Sequence, residues 1–281
     1  MEQSGEYLRR GYLNEDFRLF HLKDSLGDET EYHYHEFDKI VIFISGKVSY
    51  MIEGMTYPLS PWDILIISNH TIHKALIDTG EDYERIIIYI SPKFIRENDT
   101  ENTELMRCFK TAESRRFYLL RPEIDRRETI RRILTGLENE ISSDDYGADI
   151  GAKLSLIQLL LQINRSVISD ETDMSAPSVY YDPKIASVIG YINDNLDGDL
   201  SVETLASMSY ISKYHFMRRF KELTGYTVHG YILQKRLINA AELIRQGLPA
   251  SKAAELSGFK DYSTFQRAFK KMYGLNPIKM K

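Results

Sequence analysis

The sequence predicts a multidomain β + α chain: a small N-terminal β-barrel with helices behind it, then an all-α C-terminal domain containing one helix-turn-helix unit twice. Three observations predict this. Between Glu31 and Ser91, short runs rich in Ile, Val, Tyr and Phe alternate with Gly, Pro, Ser and Asn. Beyond Pro183 every apolar pattern has a helical period. The phrase FMRRFKELTG, residues 216–225, returns 49 positions later as FQRAFKKMYG, residues 265–274.

The bulk properties bound the answer. At 281 residues the chain can bury two cores of ordinary size. Its single cysteine, Cys108, excludes an internal disulfide framework and any cysteine-built zinc site, and fits a reducing compartment. The start, MEQSGEYLRR, lacks the apolar core of a signal peptide, and no stretch approaches the roughly 18 apolar residues of a membrane span. A soluble, cytoplasmic protein without a membrane partner is therefore expected. The net charge of -5 conceals an asymmetry: residues 182–281 carry 15 Lys/Arg against 9 Asp/Glu, and the remainder 21 against 32. The basic part holds the repeated phrase, which suits a polyanionic partner as well as a solvated helical surface.

In chain order, the runs KIVIFISG, KVSYMIEG, MTYPLSP, WDILIIS and YERIIIYIS have the spacing of strands in a sandwich or small barrel, placed at about residues 15–95. Helices follow over about 100–168. Ile130, Ile133, Leu134, Leu137 and Ile141 keep helical spacing, as do Ile150, Leu154, Ile157 and Leu161. These helices either cover the barrel's core or form a surface where two copies meet. Residues 1–168 are thus assigned to one domain, for which the resemblance given below implies effector sensing and dimerisation. The polar, aperiodic stretch 169–181 is assigned to a linker, and 182–281 to the helical domain.

Within each phrase, Phe216 and Phe220, or Phe265 and Phe269, lie four apart and share one helix face as core anchors. The opposite face presents Tyr214, Met217, Arg218 and Lys221 in the first copy and Ser263, Gln266, Arg267 and Lys270 in the second. Ser212 and Asp261 are placed as N-caps, and Gly225 and Gly274 as terminators. A shorter helical pattern precedes each phrase, with Ala206 and Tyr210 matched by Ala254 and Gly258. Helix, tight turn and capped helix with a basic outer face form a helix-turn-helix, whose second helix fits the DNA major groove. A helix from about Val228 to Gln246 joins the copies and fixes their spacing. The repetition therefore predicts that one chain reads two successive grooves of double-stranded DNA, roughly 34 Å apart.

The stretches LASMSYISKYHFMRRFKELTG, YILQKRLINAAELI and AAELSGFKDYSTFQRAFKKMYGLNP resemble the AraC/XylS transcription regulators over about 100 residues. That resemblance implies base-reading roles for Tyr214, Met217, Arg218, Tyr262, Ser263, Gln266 and Arg267. It implies phosphate contacts for Lys213, Arg219, Lys221, Lys270 and Lys271. It further implies transcriptional control, often activation and often of sugar use, a homodimer and contact with RNA polymerase. Two departures stand out: Thr227 where the family usually has proline, and an ending, NPIKMK, without the usual aromatic-Arg pair.

YHYHEFDKIVIFISG, with WDILIISNHTIHK, resembles the cupin motifs, so the N-terminal half looks like a cupin-type sensor. His33 and His35 share a strand face, and His73 supplies a third imidazole. Enzymatic cupins place a carboxylate where this chain has Lys39, and the second motif's usual glycine is Trp62. A lysine there repels a metal and suits a carboxylate, phosphate or sugar hydroxyls. The three histidines are open to three roles: members of an effector pocket with Lys39 and Trp62, structural hydrogen-bonding groups, or metal ligands. His21, His70, His215 and His229 have no partner that spacing justifies. The expectation is an effector-responsive regulator with no cofactor and no metal; the rival readings are a metal-dependent cupin enzyme and a DNA-binding protein with a purely structural barrel.

Overall fold

A computed structural model describes residues 8–9, 13–24, 31–78, 80–169 and 180–280. Most of the expected linker, residues 170–179, lies outside the described residues. The chain forms two compact units, one holding the strands and the first four helices, the other the six remaining helices.

The N-terminal unit is built on β1 (Leu8–Arg9), β2 (Phe17–Asp24), β3 (His33–Tyr34), β4 (Asp38–Ser45), β5 (Val48–Ile52), β6 (Met55–Pro58), β7 (Ile64–Ile67), β8 (His73–Ile77), β9 (Tyr83–Ile90) and β10 (Leu119–Leu120). One sheet runs in the order β1-β3-β8-β5-β6, the other in the order β10-β7-β4-β9-β2. β10 extends the second sheet from beyond the expected limit of the strands near residue 95; two residues are too few to carry a period that sequence could show. The register sets the inward face. Lys39 is opposite Tyr89 and Ile67, Val41 opposite Ile87 and Leu65, and Phe43 opposite Arg85, so these residues share one side. The same face meets the other sheet, because Tyr50 Oη lies 3.1 Å from Tyr83 Oη and Lys39 Nζ lies 3.3 Å from His73 Nε2.

Four helices follow: α1 (Pro92–Glu97), α2 (Arg107–Arg115), α3 (Ile124–Ile141) and α4 (Ala148–Ser169). α2 packs on β7 and on α4, and α3 pairs with α4. Ile130, Leu134 and Leu137 bury the inner face of α3, as the spacing predicts, whereas Ile133 is half-buried and Ile141 is exposed. In α4 the spacing marked a different face: Ala152, Leu156, Leu159, Leu160 and Ile163 are buried, whereas Ile150 and Leu154 are 60% and 56% exposed. α4 is apolar on two faces, and periodicity alone does not say which one meets the core.

The C-terminal unit comprises α5 (Pro183–Asp194), α6 (Val202–Ser209), α7 (Lys213–Thr224), α8 (Val228–Arg245), α9 (Ala250–Leu256) and α10 (Tyr262–Tyr273). Thr227 caps α8 by accepting the Gly230 N–H at 3.1 Å, which gives this departure from proline a capping role. The NPIKMK ending forms a 3-10 turn at Pro277–Lys279, with Asn276 Oδ1 accepting the Ile278 N–H at 3.3 Å. The second helix-turn-helix core gathers Leu237, Ala240, Ala241 and Ile244 of α8 with Ala253, Ala254, Phe265, Phe269 and Tyr273.

Candidate nucleic-acid interface and effector site

Each recognition helix is held by the devices its sequence announces. Ser212 Oγ accepts from the His215 N–H at 3.3 Å, and Asp261 Oδ2 from the Thr264 N–H at 2.6 Å. Gly225 and Gly274 close the helices at φ 76° and 72°, a conformation glycine adopts without a Cβ penalty. Phe216, Phe220, Phe265 and Phe269 are fully buried, with ring centroids 5.7 Å apart in α7 and 5.2 Å in α10. The face opposite the phenylalanines is consequently turned outward.

On α7 that face shows Tyr214, Met217, Arg218 and Lys221, all exposed. On α10, Ser263, Arg267, Lys270 and Lys271 are exposed, while Gln266 is half-buried and Tyr262 is half-buried against Phe265 at 5.6 Å. The cations of α7 are largely engaged within the protein. Lys213 pairs with Glu203, which holds that carboxyl below its ordinary range. Arg218 Nε lies 3.6 Å from Glu222. Arg219 Nε lies 3.1 Å from Asp182, the residue that caps α5, so its charge ties α5 to α7. On α10, Arg267 and Lys270 make no salt bridge among the described residues.

In the barrel, His33, His35 and His73 are buried, with a ligating atom of each within 4.8 Å of the others. His33 Nδ1 faces the Glu31 carbonyl at 2.8 Å and His73 Nδ1 the Thr71 carbonyl at 2.9 Å, so both rings present Nε2 to the interior. Lys39 Nζ stands 3.3 Å from His73 Nε2, the atom a metal would need, and it supplies a base or a cation in the place of a carboxylate. Three imidazole nitrogens at this spacing are a set that can ligate a divalent metal, and Lys39 takes the place where enzymatic cupins add a carboxylate. Burial, reinforced by Arg85, brings the Lys39 amine down to about 7. Burial and the neighbouring Lys39, His33 and His35 hold His73 well below its ordinary value.

Trp62 is not part of this cluster. Its backbone N–H donates to the Phe43 carbonyl at 2.6 Å, four residues along β4 from Lys39, or about 13 Å of extended strand. Sequence reading missed the groups that do share the inward face with Lys39: Tyr50, Tyr83, Arg85 and Tyr89. The signal was present in YERIIIYI, where alternate positions carry Tyr83, Arg85 and Tyr89, but the apolar run between them reads as a strand buried on both faces. His21, given no partner from spacing, faces Glu138 at 2.7 Å and Glu84 at 3.1 Å.

Two family models match the chain, an AraC-like ligand binding domain over residues 20–160 and a helix-turn-helix domain over residues 205–281. The chain belongs to the AraC family. The probable transcriptional regulator LumQ of Photobacterium leiognathi is 26% identical over 258 residues, covering 91% of this chain and 94% of that protein. The HTH-type transcriptional activator RhaR of Pectobacterium atrosepticum is 25% identical over 252 residues, 87% of this chain and 84% of the relative. The multiple antibiotic resistance protein MarA of Escherichia coli is 33% identical over 96 residues, 34% of this chain and 76% of MarA. This AraC-family chain is a transcriptional regulator with a ligand-binding domain and a helix-turn-helix DNA-binding domain, and the enzyme reading falls with that finding. Among the described residues no helix is long and apolar enough to cross a membrane.

Proposed function

We propose that the regulator reads two successive major-groove segments with α7 and α10 and is switched by a small metabolite, a sugar or sugar acid, bound at Lys39 and the three barrel histidines. The observation that carries the effector reading is the buried Lys39 amine, which has His73 and no carboxylate beside it among the described residues. An acidic group on the effector supplies the missing counter-charge. Binding changes promoter occupancy only to the extent that the effector favours one state of the regulator over another.

The pH dependence follows from the sign of the Lys39 shift. Protonated Lys39 prevails below about pH 7, so affinity for a sugar acid is highest there and falls as pH rises through 7. A thermal-shift and calorimetric survey of sugars and sugar acids on either side of that pH tests this. Lys39→Met abolishes the acid response while leaving the fold intact; a sugar acid that binds Lys39→Met as tightly as the native chain refutes the site.

The outer stripe of α4 supports a homodimer. Ile150, Leu154, Ile157 and Leu161 follow a 4-3-4 spacing, the seam of a two-stranded coiled coil, and a second copy covers it about a two-fold axis. Leu154→Glu then yields a monomer in sedimentation; a dimer unchanged by that substitution excludes this face. RNA polymerase is the further partner that activation requires, and the cytoplasm is where this regulator meets both DNA and polymerase.

A further inference from the structure

The turn between α6 and α7 carries a feature its copy lacks. Tyr210 ends α6 in the left-handed region, φ 53° and ψ 36°, with its N–H donating to the Ser207 carbonyl at 3.2 Å. A residue with a Cβ is strained there. The matching residue of the second unit is Gly258, at φ 84°, whose N–H donates to the Glu255 carbonyl at 3.0 Å. A Cβ on Gly258 would stand 2.2 Å from the Leu196 carbonyl oxygen and 2.8 Å from Arg236 Nε, so that turn admits no side chain.

Packing does not offset the strain at Tyr210, because the residue is 89% exposed. The other non-glycine residues with positive φ among those described, Glu53, Trp62, His70 and Arg116, are all buried or half-buried. Tyr210 also sits where three of the four Lys/Arg side chains of its recognition helix face acids, Lys213, Arg218 and Arg219 against Glu203, Glu222 and Asp182, which leaves Lys221 at the far end of α7. A neutral donor beside the recognition helix would restore an anchor that those cations do not provide.

We propose that Tyr210 is a positioning contact to the DNA backbone, its hydroxyl donating to a phosphate at the edge of the groove that α7 enters and its ring lying along the adjoining sugar. The inference rests on α7 being a recognition helix. In such units the segment preceding the recognition helix borders the sugar-phosphate backbone, and tyrosine hydroxyls are among the phosphate donors. A neutral donor displaces no counterion, so this contact adds affinity without steepening the salt dependence.

The test uses the full-length chain, a duplex selected by it from a random pool, and a scrambled duplex of the same composition. Tyr210→Gly relieves the backbone, so its thermal midpoint equals or exceeds the native one, yet its affinity for both duplexes falls about tenfold. The slope of affinity against salt stays the same, and Tyr210→Phe falls between the two. Unchanged affinity in Tyr210→Gly overturns the proposal, as does a lowered midpoint, which would give the ring a structural role. Loss confined to the selected duplex would make it a base contact, and normal DNA affinity with reduced transcription would assign the surface to polymerase; either result overturns the backbone role. Arg218→Ala, measured alongside, separates the layers. If it too leaves binding unchanged, the reading of α7 has failed; if it weakens binding while Tyr210→Gly does not, this inference alone has failed.

Discussion

In α7 three of the four Lys/Arg side chains lean on acidic neighbours, Lys221 being the exception, whereas in α10 Arg267 and Lys270 make no ion pair among the described residues. The two helices are otherwise built alike, with the same pair of buried phenylalanines, an oxygen cap and a glycine stop. The two units therefore share the device that presents a helix and differ in the surface presented. The first unit offers Tyr214 and Met217, large side chains 76% and 42% exposed, which suit apolar contact with thymine methyl groups. The second offers Arg267, a guanidinium outside any salt bridge though its charge acts on the capping Asp261, and Lys270, the counterpart of Lys221, which suit guanine edges and phosphates.

The largest effects test the shared skeleton. Phe216→Ala and Phe265→Ala each remove a fully buried ring and should cost about 3–5 kcal/mol, nearly alike, by chemical denaturation of the full chain. A strongly unequal pair would show that the two units do not rest on equivalent cores. Next come the readers. Arg267→Ala should weaken binding to a selected duplex by about 1–3 kcal/mol and relax preference at one base, while Arg218→Ala, already drawn to Glu222, should lie at the lower end of that range. Equal losses would remove the proposed difference in charge use.

Smaller effects sharpen it. Lys270→Ala should reduce affinity for all duplexes alike and lower the salt slope by about 1, whereas Arg219→Ala should leave the slope unchanged. The latter substitution should instead cost about 1 kcal/mol or less of stability, since its partly exposed pair with Asp182 is screened by solvent. A changed slope in Arg219→Ala would return that residue to the phosphate contacts its resemblance implies.

Much of this architecture was legible because it is written in local chemistry. Ser212, Asp261, Gly225 and Gly274 act where their side chains, or lack of one, predict. The strand runs also identified the barrel, and the alternation of His33 and His35 placed both rings inside. What could not be read depends on distant partners. Nothing near Arg219 in sequence announces Asp182, 37 residues earlier, and nothing near Trp62 says that its hydrogen bond to Phe43 places it along β4 from Lys39. The role of the exposed seam of α4, core cover or meeting surface, stayed open in the sequence for the related reason that a helix with two apolar faces needs its neighbours to decide between them.

The most direct measurement is selection of bound duplexes from a random pool by the full-length regulator, repeated with Arg267→Ala and with Met217→Ala. Two enriched blocks centred about 10–10.5 base pairs apart are expected, with one block relaxed by each substitution. A single block, or two blocks that both respond to the same substitution, would contradict the reading of two grooves by two separate helices.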